Sequence, residues 1–149
     1  MASDWNRAIL VVEDSDEDFD TFLVAAKAAG LTHQILRATS GDSCLEMLRA
    51  DAHGTNGRPA LVLMDLNTPG TDGRDALQSI KADPLLKQLP VVMFSTSANS
   101  RDLELCYAAG ANAYHVKPLR YEDHLHLLHC VLGYWFGSVV LNNQRKVAL

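Results

Sequence analysis

The chain has too few cysteines to staple a fold. Cys44, Cys106 and Cys130 are odd in number, widely spaced, and form no C-x-x-C pair, so they read as reduced, buried thiols. Long hydrophobic runs are absent as well, and no stretch reaches the length that spans a bilayer. The opening residues Met1-Ala2-Ser3-Asp4-Trp5-Asn6-Arg7 lack the apolar core of a secretory signal, which makes the cytoplasm the expected location. Positive charge is in short supply: 13 Lys and Arg stand against 18 Asp and Glu, a net charge of -5 that disfavours direct DNA binding. The basic pair Arg145-Lys146 is too short to reverse this. There is no internal repeat and no low-complexity tract.

What remains suffices for one domain. At 149 residues and 48% apolar content the chain can fill a core. Two kinds of segment alternate along it. Short Val/Ile/Leu-rich runs occur at 8–13, 60–65 and 91–95, with weaker ones at 33–38 and 112–116, as in a parallel sheet buried on both faces. Helical patterns lie between them. Over 15–29, Phe19, Phe22, Leu23 and Ala26 share a face, Ser15 offers an N-cap and Gly30 a stop. Leu45 and Leu48 mark a helix over 41–50 after Ser40. Ala76, Leu77 and Ile80 mark 73–82, before Pro84. Leu103, Cys106 and Tyr107 mark 99–109, ending at Gly110. Leu125, Leu128, Leu132 and Trp135 mark 121–136. The spacing predicts an α/β, doubly wound (βα)5 fold of the flavodoxin-like type, with a five-stranded parallel sheet in the order 2-1-3-4-5 and a crevice at the carboxyl ends.

That order brings acids together. Glu13 and Asp14 end the first strand and Asp65 ends the third, its neighbour at about 4.8 Å in the sheet. Like charges so close raise one another's pKa, and a divalent cation relieves the repulsion. An all-oxygen donor set favours Mg²⁺, Mn²⁺ or Ca²⁺, a few carboxylates plus waters suit Mg²⁺ best, and no His near these strand ends argues for zinc. Ser95 ends the fourth strand and Lys117 the fifth. Lys117 lies one strand further out, but its long stem can reach back. An acid cluster, a hydroxyl and an ammonium form a receptacle for a phosphoryl group carried by Asp65.

The carrying residues are Val11-Val12-Glu13-Asp14, Leu63-Met64-Asp65-Leu66-Asn67-Thr68-Pro69, Asp72-Gly73, Pro90-Val91-Val92-Met93-Phe94-Ser95, and Gly110-Ala111 through Tyr114 to Lys117-Pro118. In these the chain resembles bacterial two-component response regulators of the stand-alone, CheY-like receiver type, over roughly 7–136. The resemblance implies one receiver domain over 1–149 with a C-terminal extension at 137–149. It implies that Asp65 is a phosphoacceptor in a phosphorelay, charged by a sensor histidine kinase in a Mg²⁺-dependent reaction. Glu13, Asp14 and Asp65 would bind the metal together with the backbone carbonyl of Asn67. Ser95 would be the switch hydroxyl, Tyr114 the switch aromatic and Lys117 the phosphate clamp, while Pro69 and Gly73 shape the loop after Asp65. Such a domain signals by altered protein contacts; it is not an enzyme beyond its own phosphotransfer and autodephosphorylation. Glu13 and Ser95 stand where the family more often has Asp and Thr, which keeps the charge and the hydroxyl.

A narrower resemblance is to the stand-alone regulators that partner bacterial phytochromes. It is carried by Glu13-Asp14, the long 50–59 loop and the aromatic close Tyr134-Trp135-Phe136. It implies a phytochrome kinase as partner and a homodimer through the side formed by the fourth helix, fifth strand and fifth helix, with the extension.

Plainer readings compete at several positions. Acids at a helix start can serve the helix dipole, yet Asp16, Glu17 and Asp18 already do so. Tyr114 reads as a packed aromatic with its hydroxyl in water. His124, His126 and His129 read as a polar helix face, not a metal site. Trp135, Phe136, Val139, Val140 and Leu141 are core or interface. A dehalogenase-type phosphatase would need a second acid where Asn67 stands, because the amide cannot titrate. A flavodoxin would need a phosphate-binding loop where Glu13 to Asp18 are mostly acidic. A receiver-like module without phosphotransfer would not need the intact acids, hydroxyl and lysine.

Overall fold

Short apolar runs form the strands, fully buried in the three central ones and partly exposed in the two edge ones, and the amphipathic segments between them form the helices. The computed structural model describes residues 8–50, 58–68 and 72–141. Pro69, residues 51–57 of the long loop, and 142–149 of the extension lie outside the described residues. The strands are β1 (Ile9–Val12), β2 (Ile35–Ala38), β3 (Leu61–Met64), β4 (Val91–Ser95) and β5 (Ala113–Val116). The helices are α1 (Asp16–Ala28), α2 (Gly41–Ala50), α3 (Gly73–Ala82), α4 (Ser100–Ala109) and α5 (Tyr121–Gly133), the last continued by a π-helical turn, Tyr134–Ser138. All strand pairs are parallel, in the order β2-β1-β3-β4-β5. This is the doubly wound topology that the alternation predicts.

Helix starts follow local chemistry. Ser15 Oγ accepts from Asp18 N at 3.2 Å, Asp72 Oδ1 from Arg74 N at 2.9 Å, and Asn99 Oδ1 from Arg101 N at 2.8 Å. Gly110 closes α4 at φ 107°, a left-handed conformation that a side chain would strain.

Strand alternation sends side chains to two cores. On one face Leu10, Val12, Met64, Val91 and Met93 pack against Leu45 and Leu48 of α2, Leu77 and Ile80 of α3 and Cys106 of α4. On the other, Val11, Leu63, Val92 and Phe94 pack against Phe22, Ala25 and Ala26 of α1 and Leu128, Val131 and Leu132 of α5. Each fully buried large side chain contributes about 2 kcal/mol by leaving water.

Several expectations need correcting. Leu23 is 37% exposed; the buried stripe of α1 is Phe22, Ala25 and Ala26, because the short alanines let the helix sit close to the sheet. On α4 only Cys106 is buried, and Tyr107 is exposed. Cys130 is also exposed, unlike Cys44 and Cys106. The segment after α5 is divided. Trp135 is buried, Phe136, Val139 and Leu141 pack against the α1/α5 core, and Val140 stands in solvent. The Phe136 ring lies 4.5 Å from that of His33, so the turn that follows α5 packs beside the residues that lead into β2.

Candidate functional site

Register decides which residues meet. Val12 pairs with Met64, so Glu13 and Asp65 leave the sheet side by side, and Asp65 N donates to Val12 O at 3.0 Å. Ser95 pairs with Val116, which places Lys117 just beyond the end of β4. One oxygen each from Glu13, Asp14 and Asp65 can be chosen so that all lie within 4.8 Å of one another. Glu13 and Asp65 are buried and Asp14 is exposed. This is a hard, all-oxygen donor set with one open side, which fits a small divalent cation.

Lys117 crosses from β5 to the middle of the cluster. Its ammonium lies 2.8 Å from Glu13 Oε1, 2.8 Å from Asp18 Oδ2 and 3.2 Å from Asp65 Oδ2. The other oxygen of Asp65 accepts from Asn67 N at 3.1 Å. The Asn67 side chain faces solvent. The other oxygen of Glu13 accepts from Ser15 N at 3.2 Å, and its carbonyl accepts from Arg37 Nε at 3.0 Å.

The electrostatics differ from simple carboxylate repulsion. Burial is the main force that pushes the Glu13 carboxyl up to about 7; Lys117 opposes it and the charge on Asp65 adds to it. Burial pulls the Lys117 ammonium down, but its bonds to Asp18 and Glu13 and the charge on Asp65 outweigh this and hold it above the ordinary lysine range. Glu13, Asp18 and Asp65 surround the single ammonium of Lys117, and Asp14 adds a further carboxylate beside Glu13 and Asp65. The excess of negative charge is what a divalent cation would balance.

Ser95 is fully buried, and its Oγ accepts from Ser97 N at 3.1 Å. Tyr114 is half-buried, and its hydroxyl donates to Ser97 O at 2.9 Å instead of pointing to water. Gly73 begins α3 against Asp65: a Cβ there would sit 2.5 Å from Asp65 O and 2.9 Å from Leu66 Cα. That contact requires glycine.

Two participants escaped the sequence reading. Asp18 reads as a dipole acid of α1, yet its carboxylate holds Lys117. Its position one helical turn past Asp14, facing back to the strand end, is the only signal. His124 is not part of a polar face. It is 7% exposed and stacks on Phe94 at 5.5 Å between centroids, and burial lowers its pKa. His126 and His129 remain exposed. Helix spacing does mark His124, which stands four residues before Leu128 and eight before Leu132 on the buried face of α5, where its ring meets Phe94.

The arrangement offers a carboxylate held for attack, a cation beside it and an acid pair able to hold a metal. The comparisons with known proteins agree. The response regulator receiver domain model matches residues 9–129. The chain is 34% identical over 129 residues to the probable methanogenesis regulatory protein FilR2 of Methanothrix harundinacea, covering 87% of this chain and 83% of that protein. It is 32% identical over 136 residues to response regulator Rcp1 of Synechocystis, covering 91% and 92%. The crystal structure of the Mn²⁺-bound form of Rcp1 superposes with a TM-score of 0.85, covering 91% of this chain and 99% of that one. The phosphorylated cyanobacterial phytochrome response regulator RcpA is 31% identical with a TM-score of 0.84, covering 91% and 97%. The chain therefore belongs to the response regulator receiver domains, a family of two-component signalling domains and not of classical enzymes.

Proposed function

We propose that Asp65 accepts a phosphoryl group from the phosphohistidine of a sensor histidine kinase. The observation that carries this reading is the placement of Asp65 at the carboxyl end of the sheet, beside both the Lys117 ammonium and the Glu13–Asp14 pair. An Asp65 oxygen attacks phosphorus, the phosphorus–nitrogen bond breaks, and the imidazole leaves with the bonding electrons. Lys117, drawn to the new phosphoryl oxygens, holds them from the α1/α5 side, and the Ser95 hydroxyl meets them from the α3/α4 side. Glu13, Asp14, Asp65 and the Asn67 carbonyl would hold Mg²⁺, or Mn²⁺ in its place. When bound, the cation supplies charge neutralisation at the phosphoryl oxygens. Autodephosphorylation reverses the state by water attack.

The added charge draws Ser95 inward and repacks Tyr114, which biases the α4–β5–α5 side between two states. We read 1–149 as one receiver domain with a C-terminal extension, acting in the cytoplasm. Among the described residues no helix is long and apolar enough to cross a membrane. The likeness to a phytochrome response regulator supports a phytochrome kinase as partner. Exposed Leu105, Tyr107, Val116, Tyr134 and Val140 support a homodimer on the α4–β5–α5 side and the extension.

The test is mass spectrometry after incubation with acetyl phosphate and Mg²⁺. Wild type should gain one phosphate and Asp65→Asn none; equal gain by both refutes the assignment. Sedimentation that shows a monomer at high micromolar concentration, with and without beryllofluoride, removes the dimer.

A further inference from the structure

The connection between β4 and α4 starts at Ser95 and is tied down at Ser97. Ser97 N donates to Ser95 Oγ at 3.1 Å, Ser97 O accepts the Tyr114 hydroxyl at 2.9 Å, and Ser97 Oγ donates to Asp102 Oδ2 at 2.7 Å. Asp102 stands in the first turn of α4, and its other oxygen is held by Arg74 Nη1 at 3.1 Å. The same guanidinium holds Asp72, with Nη2 at 2.8 Å from Oδ2 and Nε at 3.4 Å from Oδ1. Asp72 caps α3, whose first residue, Gly73, packs on the carbonyl of Asp65. A continuous polar chain thus runs from Asp72, beside the residue that packs on Asp65, around the outside of the pocket to the Ser95 hydroxyl. It passes through the N-termini of two helices.

The hydroxyl at the end of this chain has one use left. Ser95 is fully buried, its oxygen is engaged by Ser97 N–H, and no group among the described residues accepts its proton. A buried donor without an acceptor is costly, and a hydroxyl whose oxygen is already engaged can offer its proton only in a limited range of directions. Strand alternation puts Ser95 on the face of Met93, toward α3 and α4, so Ser95 and Lys117 flank Asp65 from opposite sides. The direction of the remaining donor is set by the loop, and the loop is set by Asp102 and Arg74.

We infer that Arg74 and Asp102 are positioning residues, whose ion pair fixes Ser97 and through it aims the Ser95 hydroxyl at a phosphoryl group on Asp65. The inference rests on the reading of Asp65 as phosphoacceptor. The pair is an α3–α4 clamp built from side chains outside the pocket. Arg74 and Asp102 are 39% and 22% exposed, so solvent screens them and the effect of breaking the clamp is modest. The guanidinium is nevertheless held at both ends: desolvation pushes the Asp72 carboxyl up, but the side-chain and backbone bonds from Arg74 hold it below its ordinary value.

The experiment is titration of beryllofluoride, with saturating Mg²⁺, into wild type, Arg74→Ala, Arg74→Lys and Ser97→Ala, and into the same changes on a Ser95→Ala background. Arg74→Ala and Ser97→Ala should each weaken binding about three- to tenfold, the range for one lost hydrogen bond in a partly exposed network. Arg74→Lys should recover part of the loss, since one charged contact to Asp102 survives. On the Ser95→Ala background Arg74→Ala should change nothing further, which a merely structural role would not predict. If Arg74→Ala is unfolded by circular dichroism, Ser97→Ala, which removes a single hydroxyl, carries the test. Wild-type binding with unchanged variants, or losses that add fully on the Ser95→Ala background, overturns the clamp alone. Failure of wild type to bind, or equal binding by Asp65→Asn, overturns the Asp65 reading and the clamp with it.

Discussion

Lys117 Nζ stands 3.2 Å from Asp65 Oδ2, although β4 separates the strands that carry them. The contact is possible because the lysine stem runs along the α1/α5 side of the strand ends, and the ammonium is held there by Glu13 and Asp18 as well. Side-chain exposure of 6% for Lys117, 8% for Glu13 and 11% for Asp65 makes this an interior ion cluster. Its charges were taken out of water and depend on one another.

Removal of the ammonium should therefore be felt in stability. Lys117→Met should lower unfolding free energy by about 3 kcal/mol, the low end for deleting one partner of a buried pair, since Glu13 can take up a proton instead. Urea denaturation with chelator measures it. Saturating Mg²⁺ should narrow the gap, because the cation replaces the lost positive charge. A gap that is unchanged by Mg²⁺ would show that no cation enters among these carboxylates.

The buried Glu13 carboxyl predicts a pH signature. Its folded value of about 7 lies above the ordinary 4.5, so the native state holds this proton more tightly than the unfolded chain does. Glu13 therefore lowers stability progressively as pH rises from 4.5 to 7, with no further change above, a total of about 3 kcal/mol at about 1.4 kcal/mol per unit. Glu13→Gln cannot ionise. Its stability relative to wild type should rise over that window and level off above it, in chelator. His115 and His124, whose pKa values burial lowers, act with the opposite sign: their contribution is lost as pH falls below 6.5. They are present in both proteins and cancel in the difference. Parallel curves for the two proteins would mean that Glu13 is not held neutral by its surroundings.

Much of this architecture was legible before coordinates. The length and Val/Ile/Leu content of the runs at 8–13, 60–65 and 91–95 suit buried strands, and their alternation with helical spacing left few topologies. The meeting of Glu13, Asp14 and Asp65 follows from that order alone, because residues just past neighbouring parallel strands must meet. What escaped depended on contacts between elements distant in sequence. Asp18 is recruited by a lysine from β5, whereas His124 shares the face of Leu128 and Leu132 and was legible from its spacing. Leu23 has the right spacing for the core, but Ala25 holds the place, because closeness to the sheet favoured the smaller side chain. The Tyr114 hydroxyl reads as wet until the loop that receives it at Ser97 is in place.

Gly73 offers a prediction that local propensity would get backwards. Alanine is the better helix former. Here its Cβ would stand 2.5 Å from Asp65 O and 2.9 Å from Leu66 Cα, both backbone atoms that cannot rotate away. Gly73→Ala should cost about 1–3 kcal/mol as an overpacking change, and the backbone that yields is that of Asp65 itself. Thermal unfolding measures the first effect. The second appears as slower labelling by acetyl phosphate at a temperature where the variant is still folded. Stabilisation by alanine would show that α3 does not press on the Asp65 carbonyl.

If Asp65 is the phosphoacceptor, its phosphohistidine donor has to approach from outside. Beside Asp65 a cleft of about 430 Å³ opens between α1 and the β5–α5 connection, lined by Glu17, Asp20, Val24, Leu119 and Tyr121. Asp18 and His124 line both this cleft and the small inner cavity that contains Glu13 and Asp65. Leu119 is 96% exposed, so it contributes little to the core and can be changed without unfolding the domain. An apolar side chain at the mouth of an acid-rimmed cleft suits a partner helix with an apolar knob and basic flanks. Leu119→Glu should slow phosphotransfer from a histidine kinase that serves wild type by about tenfold or more, the size of one lost interface anchor. Labelling by acetyl phosphate, too small to need docking, should be unchanged. An equal fall with both donors would place the effect in the pocket, and no fall with either would move the kinase to another face.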